Sequence, residues 1–179
     1  VLLYAITGFF LCLLLMRVFH QAHPFFAFAV AMLFIAHPVH TEVVANIKSR
    51  DELLAFLGVI IGTWALLRTW DRPGIRYGWL AFSCLAFYAG LLSKESAIAG
   101  LGFVPLVIHY AQPASLKQVL IRSAPVALMV LVFLLHKQAV LGSISGHVPK
   151  DVLNYPYAAA MVKFPSTFLI FLHCVRLVL

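Results

Sequence analysis

Apolar runs recur along this chain at residues 1–19, 25–36, 53–67, 77–92, 97–111, 124–141 and 164–179, each closed off by charge, Pro or Gly. Such a pattern leaves little choice of fold. Runs this apolar can be accommodated only as helices that bury their own backbone hydrogen bonds, in a membrane or against each other. The fold class expected is therefore all-α, a polytopic transmembrane helical bundle of about seven helices. Several runs fall short of the roughly 20 residues that cross a bilayer core, so they must recruit flanking residues, thin the membrane or line protein. Run 25–36 is the clearest case, reaching a spanning length only by continuing through Pro38 to about Ile47, with a bend near His37.

Composition agrees with the pattern. Charged residues make up 11% of the chain and hydrophobic ones 63%, with a mean hydropathy of +0.99, whereas soluble domains carry about 25% charge. The net charge of +7 comes from basic residues standing singly between apolar runs. They form no continuous patch, so nucleic acid is not an expected partner. Cys12, Cys84 and Cys174 all lie in apolar runs and suggest neither disulfides nor a zinc site. The chain opens on "VLLYAITGFF" without Met and ends inside "FLHCVRLVL", as an interior piece of a longer membrane protein would.

If the helices alternate in direction, Arg17, Arg68, Arg72, Arg76, Lys117 and Arg122 fall on one side. Lys48, Arg50, Lys94, Lys137, Lys150 and Lys163 fall on the other. Positive charge is balanced and orients nothing. Carboxylates are not balanced: Glu42, Asp51, Glu52, Glu95 and Asp151 share the second side, against Asp71 alone on the first. Chemistry is expected on the acidic side.

Two stretches concentrate it. In "HPVHTEVVANIKSRDE", helical spacing after the Pro38 bend would set Glu42, Asn46 and Arg50 on one stripe and Val44, Lys48 and Asp51 on another. A charge at the bilayer centre costs at least about 2.5 kcal/mol, so this segment belongs at an interface or a wet cavity. His37, His40 and Glu42 are the candidate ligands for a divalent metal, although "HPVHTE" matches no standard zinc spacing. The plain alternative is histidines bonded to neighbouring backbone. Arg50 beside Asp51 and Glu52 is either a phosphate-reading guanidinium steadied by carboxylates or the start of a helix whose dipole favours the two acids, the latter role suiting Glu52.

The second stretch is the tight turn "GLLSKESAIAG", where Ser93 or Ser96 can cap, Glu95 suits the first turn of the next helix, and Lys94 aims an ammonium at the acidic side. Cations and carboxylates from two loops suit an anionic headgroup such as a lipid phosphate. Snorkelling of Lys94 with a capping Glu95 explains the same residues without a ligand. His109, His136 and His173 stand alone in apolar runs and are expected to be packing residues, while Arg122 and Arg176 snorkel to the membrane edge. Residues 142–163 form the one long polar connection, with a short interfacial helix expected over 157–163. No GxSxG, P-loop or Rossmann glycine pattern occurs.

"HPVHTEVVANIKSRDELLAFLGVIIG", followed by "LLSKESAIAGLGFVPLV" and "YAAAMVKFPSTFLIFLHCVRLVL", resembles the membrane half of the TMTC-like (transmembrane and tetratricopeptide-repeat-containing) proteins. These resemble in turn the GT-C glycosyltransferases, including protein O-mannosyltransferases. The resemblance covers residue 25 to the end. It implies that residues 1–179 are a partial transmembrane GT-C-like domain, with a first external loop upstream and helical repeats downstream. It also implies a polyprenyl- or dolichyl-phosphate-linked sugar donor, a protein or other acceptor, and transfer on the lumenal or periplasmic side of an endoplasmic reticulum or bacterial inner membrane. Partners would be membrane lipid and the lipid-linked sugar.

By that resemblance Glu42 and Asp51 are the acids that position acceptor or metal, and His40, Arg50, Lys94 and Glu95 contact substrate, Arg50 and Lys94 at the phosphate. The leading acid of such enzymes lies in the first external loop, so this stretch alone is expected to be inactive. The rival readings are a polytopic transporter or channel built on the same charged groups, and a non-catalytic membrane scaffold for a repeat domain.

Overall fold

The computed structural model describes residues 1–71, 76–112 and 114–141. The expected helix 164–179, the interfacial helix 157–163 and the connection 142–163 lie outside the described residues. Among the described residues there are seven α-helices and no strand: α1 Leu2–Val18, α2 Pro24–Ala36, α3 Thr41–Ala45, α4 Arg50–Arg68, α5 Arg76–Ser93, α6 Gly100–Ala111 and α7 Leu116–Leu141. Three 3-10 turns, Pro38–His40, Ile47–Ser49 and Glu95–Ala99, join them.

The helix starts follow local chemistry. Pro24 opens α2, and the His23 ring accepts the Phe25 N–H, supplying an acceptor to an otherwise orphan donor. α7 begins eight residues before the expected run, at Leu116. Ser115 and Gln118 explain the extra length, because the Gln118 N–H donates to Ser115 Oγ at 3.4 Å and the Ser115 N–H to Gln118 Oε1 at 3.2 Å. That reciprocal capping box turns the expected connection into the first turn of a helix.

The expected bend near His37 is present: α2 and the segment Pro38–Ala45 meet at 51°. The expected continuation to Ile47 is not, and the stripe joining Glu42, Asn46 and Arg50 fails with it. Asn46 is extended, with ψ of 120°, and its side chain accepts the Lys48 N–H at 3.0 Å. An asparagine that satisfies the backbone two residues on competes with the helix and ends it.

α4 lies at the centre of the unit Val1–Val140. Its Ile60, Ala65, Leu66 and Leu67 are fully buried, as are Val104 and Ile108 of α6, while Leu14 of α1, Phe87 of α5 and Val126 of α7 complete the core around it. α4 and α5 pack unusually close. A Cβ added at Gly58 would stand 2.7 Å from Gly90 Cα and 2.8 Å from Ala86 O, and one at Gly62 would strike the Phe87 ring at 2.7 Å. Gly58 and Gly62 are one turn apart, a small-xxx-small stripe that lets two backbones meet. Buried Ser83 exploits the approach, donating to Gly62 O at 2.8 Å across the pair.

The contacts also sort the helix ends. Arg17 in the last turn of α1 pairs with Asp71 after α4, and Arg122 near the start of α7 lies over Trp70, 5.1 Å from its ring centre. At the opposite end, Lys94 after α5 meets the first turn of α4, and Glu95 meets Lys137 near the end of α7. This reproduces the two sides expected from alternating helices. Large apolar side chains face outward: Leu33 is 73% exposed, Leu85 67% and Leu106 61%, an inversion of what water favours.

By length and composition, one helix, Leu116–Val140, suffices to cross a membrane, or two spans result if α2 and its bent continuation count as one. Seven separate spans are thus not what the described residues show. α1 and the stretch Glu95–Ala111 are shorter apolar helices, and α4 carries Arg50, Asp51 and Glu52 in its first turn and Arg68 in its last.

Gly58→Ala is expected to lower stability by about 1–3 kcal/mol, the range for an overpacked interior, read as a fall in the thermal midpoint in mild detergent. Gly102→Ala is the control: nothing lies within 4 Å of the added Cβ, and the better helix former should hold or slightly raise the midpoint.

Candidate functional site

The site is assembled where α4 begins and α5 ends. Asp51 and Glu52 stand in the first turn of α4, where the helix dipole favours acids; Asp51 Oδ1 also accepts the Glu52 N–H at 2.8 Å, fixing that turn. Lys94 follows α5 on extended backbone, φ −158° and ψ 142°, because the chain must reverse within one residue to start the 3-10 turn Glu95–Ala99. Its Nζ lies 2.5 Å from Glu52 Oε1 and 3.4 Å from Asp51 Oδ2. Ser96 Oγ donates to the other Glu52 oxygen, Oε2, at 3.1 Å.

One ammonium therefore holds two carboxylates, and a hydroxyl completes Glu52. The Glu52 hydrogen bond, helped by the charges of Asp51 and Glu52, raises the Lys94 pKa above its ordinary value of 10.5, against a smaller opposing effect of desolvation. The three side chains remain 37–42% exposed, so they add little to stability. Their arrangement is a matter of position. Beside them Lys137 Nζ meets Glu95 Oε1 at 2.5 Å, the lysine side chain 12% exposed and the glutamate 63%. The lysine stem is packed into the protein while its head reaches the surface.

A cleft of about 290 Å³ opens below this cluster, between Glu52, Ala55, Phe56 and Val59 of α4 and the segment from Ser96 to Phe103. Its walls are apolar apart from Glu52 and Ser96 at the rim. Phe56 stacks on Phe34 of α2 at 5.7 Å, and His40 also packs against Phe34, at 4.3 Å. Beyond that ring pair lies a second hollow, lined by Tyr4, His37, His40 and Thr41 among others.

The expected residues divide accordingly. Asp51 and Lys94 come together. Glu52, assigned from the sequence only a helix-dipole role, is the residue that bonds both Lys94 and Ser96 and lines the cleft; the signal was its position one turn before Ala55 and Phe56, which needs the α4–α5 register to read. Arg50 is exposed and makes no ion pair among the described residues; the neighbouring carboxylates hold Lys94 instead of Arg50. Glu95 pairs with Lys137, away from the cleft. Neither Ser93 nor Ser96 caps a helix: Ser93 Oγ donates to Ala89 O and Ser96 Oγ to Glu52.

His37, His40 and Glu42 do not form a ligand set. Among the described residues no three His, Cys, Asp or Glu side chains converge. His37 Nδ1 accepts the Val39 N–H at 3.2 Å, His40 packs against Phe34, and Glu42 is exposed on α3. His136, expected to be a packing residue, bonds through Nδ1 to the Tyr88 hydroxyl at 2.7 Å.

An all-helical bundle with an ion-paired mouth over an apolar cleft is what fold and site define together. Over part of its length the chain is similar to known O-mannosyltransferases. It is 39% identical over 77 residues to Protein O-mannosyl-transferase Tmtc2 of Drosophila melanogaster, an alignment covering 41% of this chain and 8% of that protein. To Protein O-mannosyl-transferase Tmtc3 of the same organism it is 30% identical over 105 residues, covering 54% of this chain and 11% of the relative. The chain thus spans about a tenth of the length of these curated relatives. No protein-family model and no solved structure matches it.

Because the Lys94 pKa is raised by its partners, its contribution is fully present below the ordinary value of 10.5 and is lost as pH climbs through the higher folded value. The stability difference between the wild type and Lys94→Met should therefore be constant from neutral pH upward and shrink only above that point, as read by denaturation at stepped alkaline pH.

Proposed function

We propose that this chain is part of the membrane core of a glycosyltransferase that moves a sugar from a lipid-phosphate donor to a protein hydroxyl, with the reaction centred on the Lys94 end of the bundle. The observation that carries the reading is the cluster of Asp51, Glu52, Lys94 and Ser96 at the mouth of the apolar cleft, on a chain partly similar to proteins named O-mannosyl-transferases. A lipid-borne phosphate needs this combination: an apolar wall for the chain and polar groups where it surfaces.

The bundle is a multi-pass one in this reading, in an endoplasmic reticulum or bacterial inner membrane. Outward-facing leucines and phenylalanines on α2, α5, α6 and α7 support it. α4 and α5, with 19 and 18 residues, rise about 27–29 Å, close to the hydrocarbon thickness of about 30 Å.

Within the site the charges set the roles. Two carboxylates outnumber Lys94, so an arriving phosphate needs a further cation, which the exposed guanidinium of Arg50 supplies. Lys94 then exchanges a carboxylate oxygen for a phosphate oxygen and stabilises the leaving group. Ser96 on Glu52 already has the geometry of an acceptor serine or threonine donating its proton to a carboxylate. Asp51 and the exposed Glu42 of α3 extend the acidic face, while His40, in the neighbouring hollow, and Glu95, on Lys137, would reach the donor only if they turned from their present partners.

Lys94→Ala and Glu52→Gln in the full-length protein should each lower sugar transfer from a polyprenyl-phosphate sugar by about 100-fold, the scale for removing one group that stabilises developing charge, measured as label transferred to an acceptor peptide. Arg50→Ala and Glu42→Gln should also reduce it. Unchanged transfer in both Lys94→Ala and Glu52→Gln would overturn the assignment, and specific flux of ions or solutes through reconstituted protein with no transfer would replace it with a transport function.

A further inference from the structure

At the other end of the bundle a second hollow of about 250 Å³ lies between α4, α5 and α7, lined by Thr69, Trp70, Arg76, Gln118 and Arg122 with Leu66, Leu80, Ile121 and Pro125 below them. It contains two arginines and no carboxylate. Asp71, the acid nearest in sequence, is already engaged by Arg17. Among the described residues Arg76 and Arg122 form no ion pair.

Arg122 is held in place. Its guanidinium lies over Trp70, and Nη1 donates to the neutral oxygen of Gln112 at 2.6 Å. A guanidinium fixed on an aromatic face, with N–H groups left over, is prepared for bidentate bonding to a phosphate. Gln118 Oε1 accepts the Ser115 N–H, so the amide end it has left to offer is the donor NH₂. The Thr69 hydroxyl has spent its proton on Leu66 O, and the groups left to bond a ligand, the Gln118 NH₂ and the two guanidiniums, are donors and cations, which fits an anion.

The lower wall decides which anion. Ile121 is 62% exposed and continues into Leu128 and Leu131 along the outward face of α7, 53% and 52% exposed. An apolar strip that runs from a dibasic hollow down the outside of a helix matches a headgroup with attached acyl chains. It offers nothing to the remainder of a soluble phosphate ester.

We propose that this hollow is a binding site for the phosphate headgroup of an anionic glycerophospholipid, separate from the donor site at the Lys94 end and resting on the reading that the bundle lies in a membrane. Arg76 and Arg122 grip the phosphate, Trp70 and Gln118 flank it, and the acyl chains follow Ile121 and Leu128.

Native mass spectrometry of the whole chain, released from mild detergent supplemented with phosphatidylglycerol or phosphatidylcholine, tests the site. Phosphatidylglycerol adducts should predominate, falling about 5-fold with Arg76→Gln or Arg122→Gln and about 25-fold with both. Lys117→Gln, which removes a charge at the same end but outside the hollow, should leave them unchanged. Arg122→Lys keeps the charge and loses the fork, so its adducts should fall between wild type and Arg122→Gln even if the glutamine variants fold poorly. Millimolar inorganic phosphate should not displace the lipid; displacement would overturn the lipid assignment in favour of a free-phosphate site. Equal retention of both lipids, or loss with Lys117→Gln as large as with Arg122→Gln, would overturn the site. Alkaline carbonate extraction separates the two readings: a chain released from membranes refutes the bilayer and this site together, whereas a retained chain without lipid preference refutes this site alone.

Discussion

The close approach of α4 and α5 governs the rest of the molecule. With no side chain at Gly58 or Gly90, the two backbones come within contact distance, and the register of the antiparallel pair is then fixed along its whole length. Gly62 receives Phe87 and the Ser83 hydroxyl on one side of the crossing. On the other side, two turns away, the same register carries Asp51 and Glu52 to Lys94 and Ser96. A wider spacing would leave the ion pair open, since a lysine one residue past a helix end has little reach to spare. The Lys94 cluster is thus a consequence of helix packing some ten ångströms deeper.

The two ends of the bundle end up chemically distinct. At the Lys94 end, carboxylates exceed the cations that touch them and an apolar cleft opens beneath. At the Arg122 end, arginines lie on tryptophan faces, Arg68 over Trp64 and Arg122 over Trp70, and the one carboxylate there among the described residues, Asp71, is engaged by Arg17. Between the ends the outer surface is leucine and phenylalanine, and the buried hydroxyls of Thr7, Thr63 and Ser83 are all satisfied by backbone carbonyls.

Five of the expected apolar runs became helices within a few residues of their expected limits, because a run of that composition has no other way to satisfy its backbone. The departures have local causes. Asn46 ends a helix that hydrophobicity would have continued, and Ser115 with Gln118 starts one that Gln112 and Pro113 would have delayed. The candidate site was legible in its residue types and in the side of the bundle it occupies. Asp51 and Lys94 do meet; Glu52, whose place in the first turn suggests only a dipole role, makes the bond to Lys94 that sequence proximity assigns to Arg50. Such errors arise because adjacent residues in the first turn of a helix point in different directions, and only the neighbour they meet decides which one carries the interaction.

The sequence by itself determined the all-helical class, the acidic end and the bend at His37, since each follows from hydropathy, proline or charge within a short window. Tertiary structure alone decided which carboxylate meets Lys94, that no third ligand joins His37 and His40, and that Arg76 and Arg122 share a hollow. Those outcomes depend on how far apart helices lie and how they are rotated, and a handful of glycines and buried hydroxyls set both through contacts tens of residues distant in the chain.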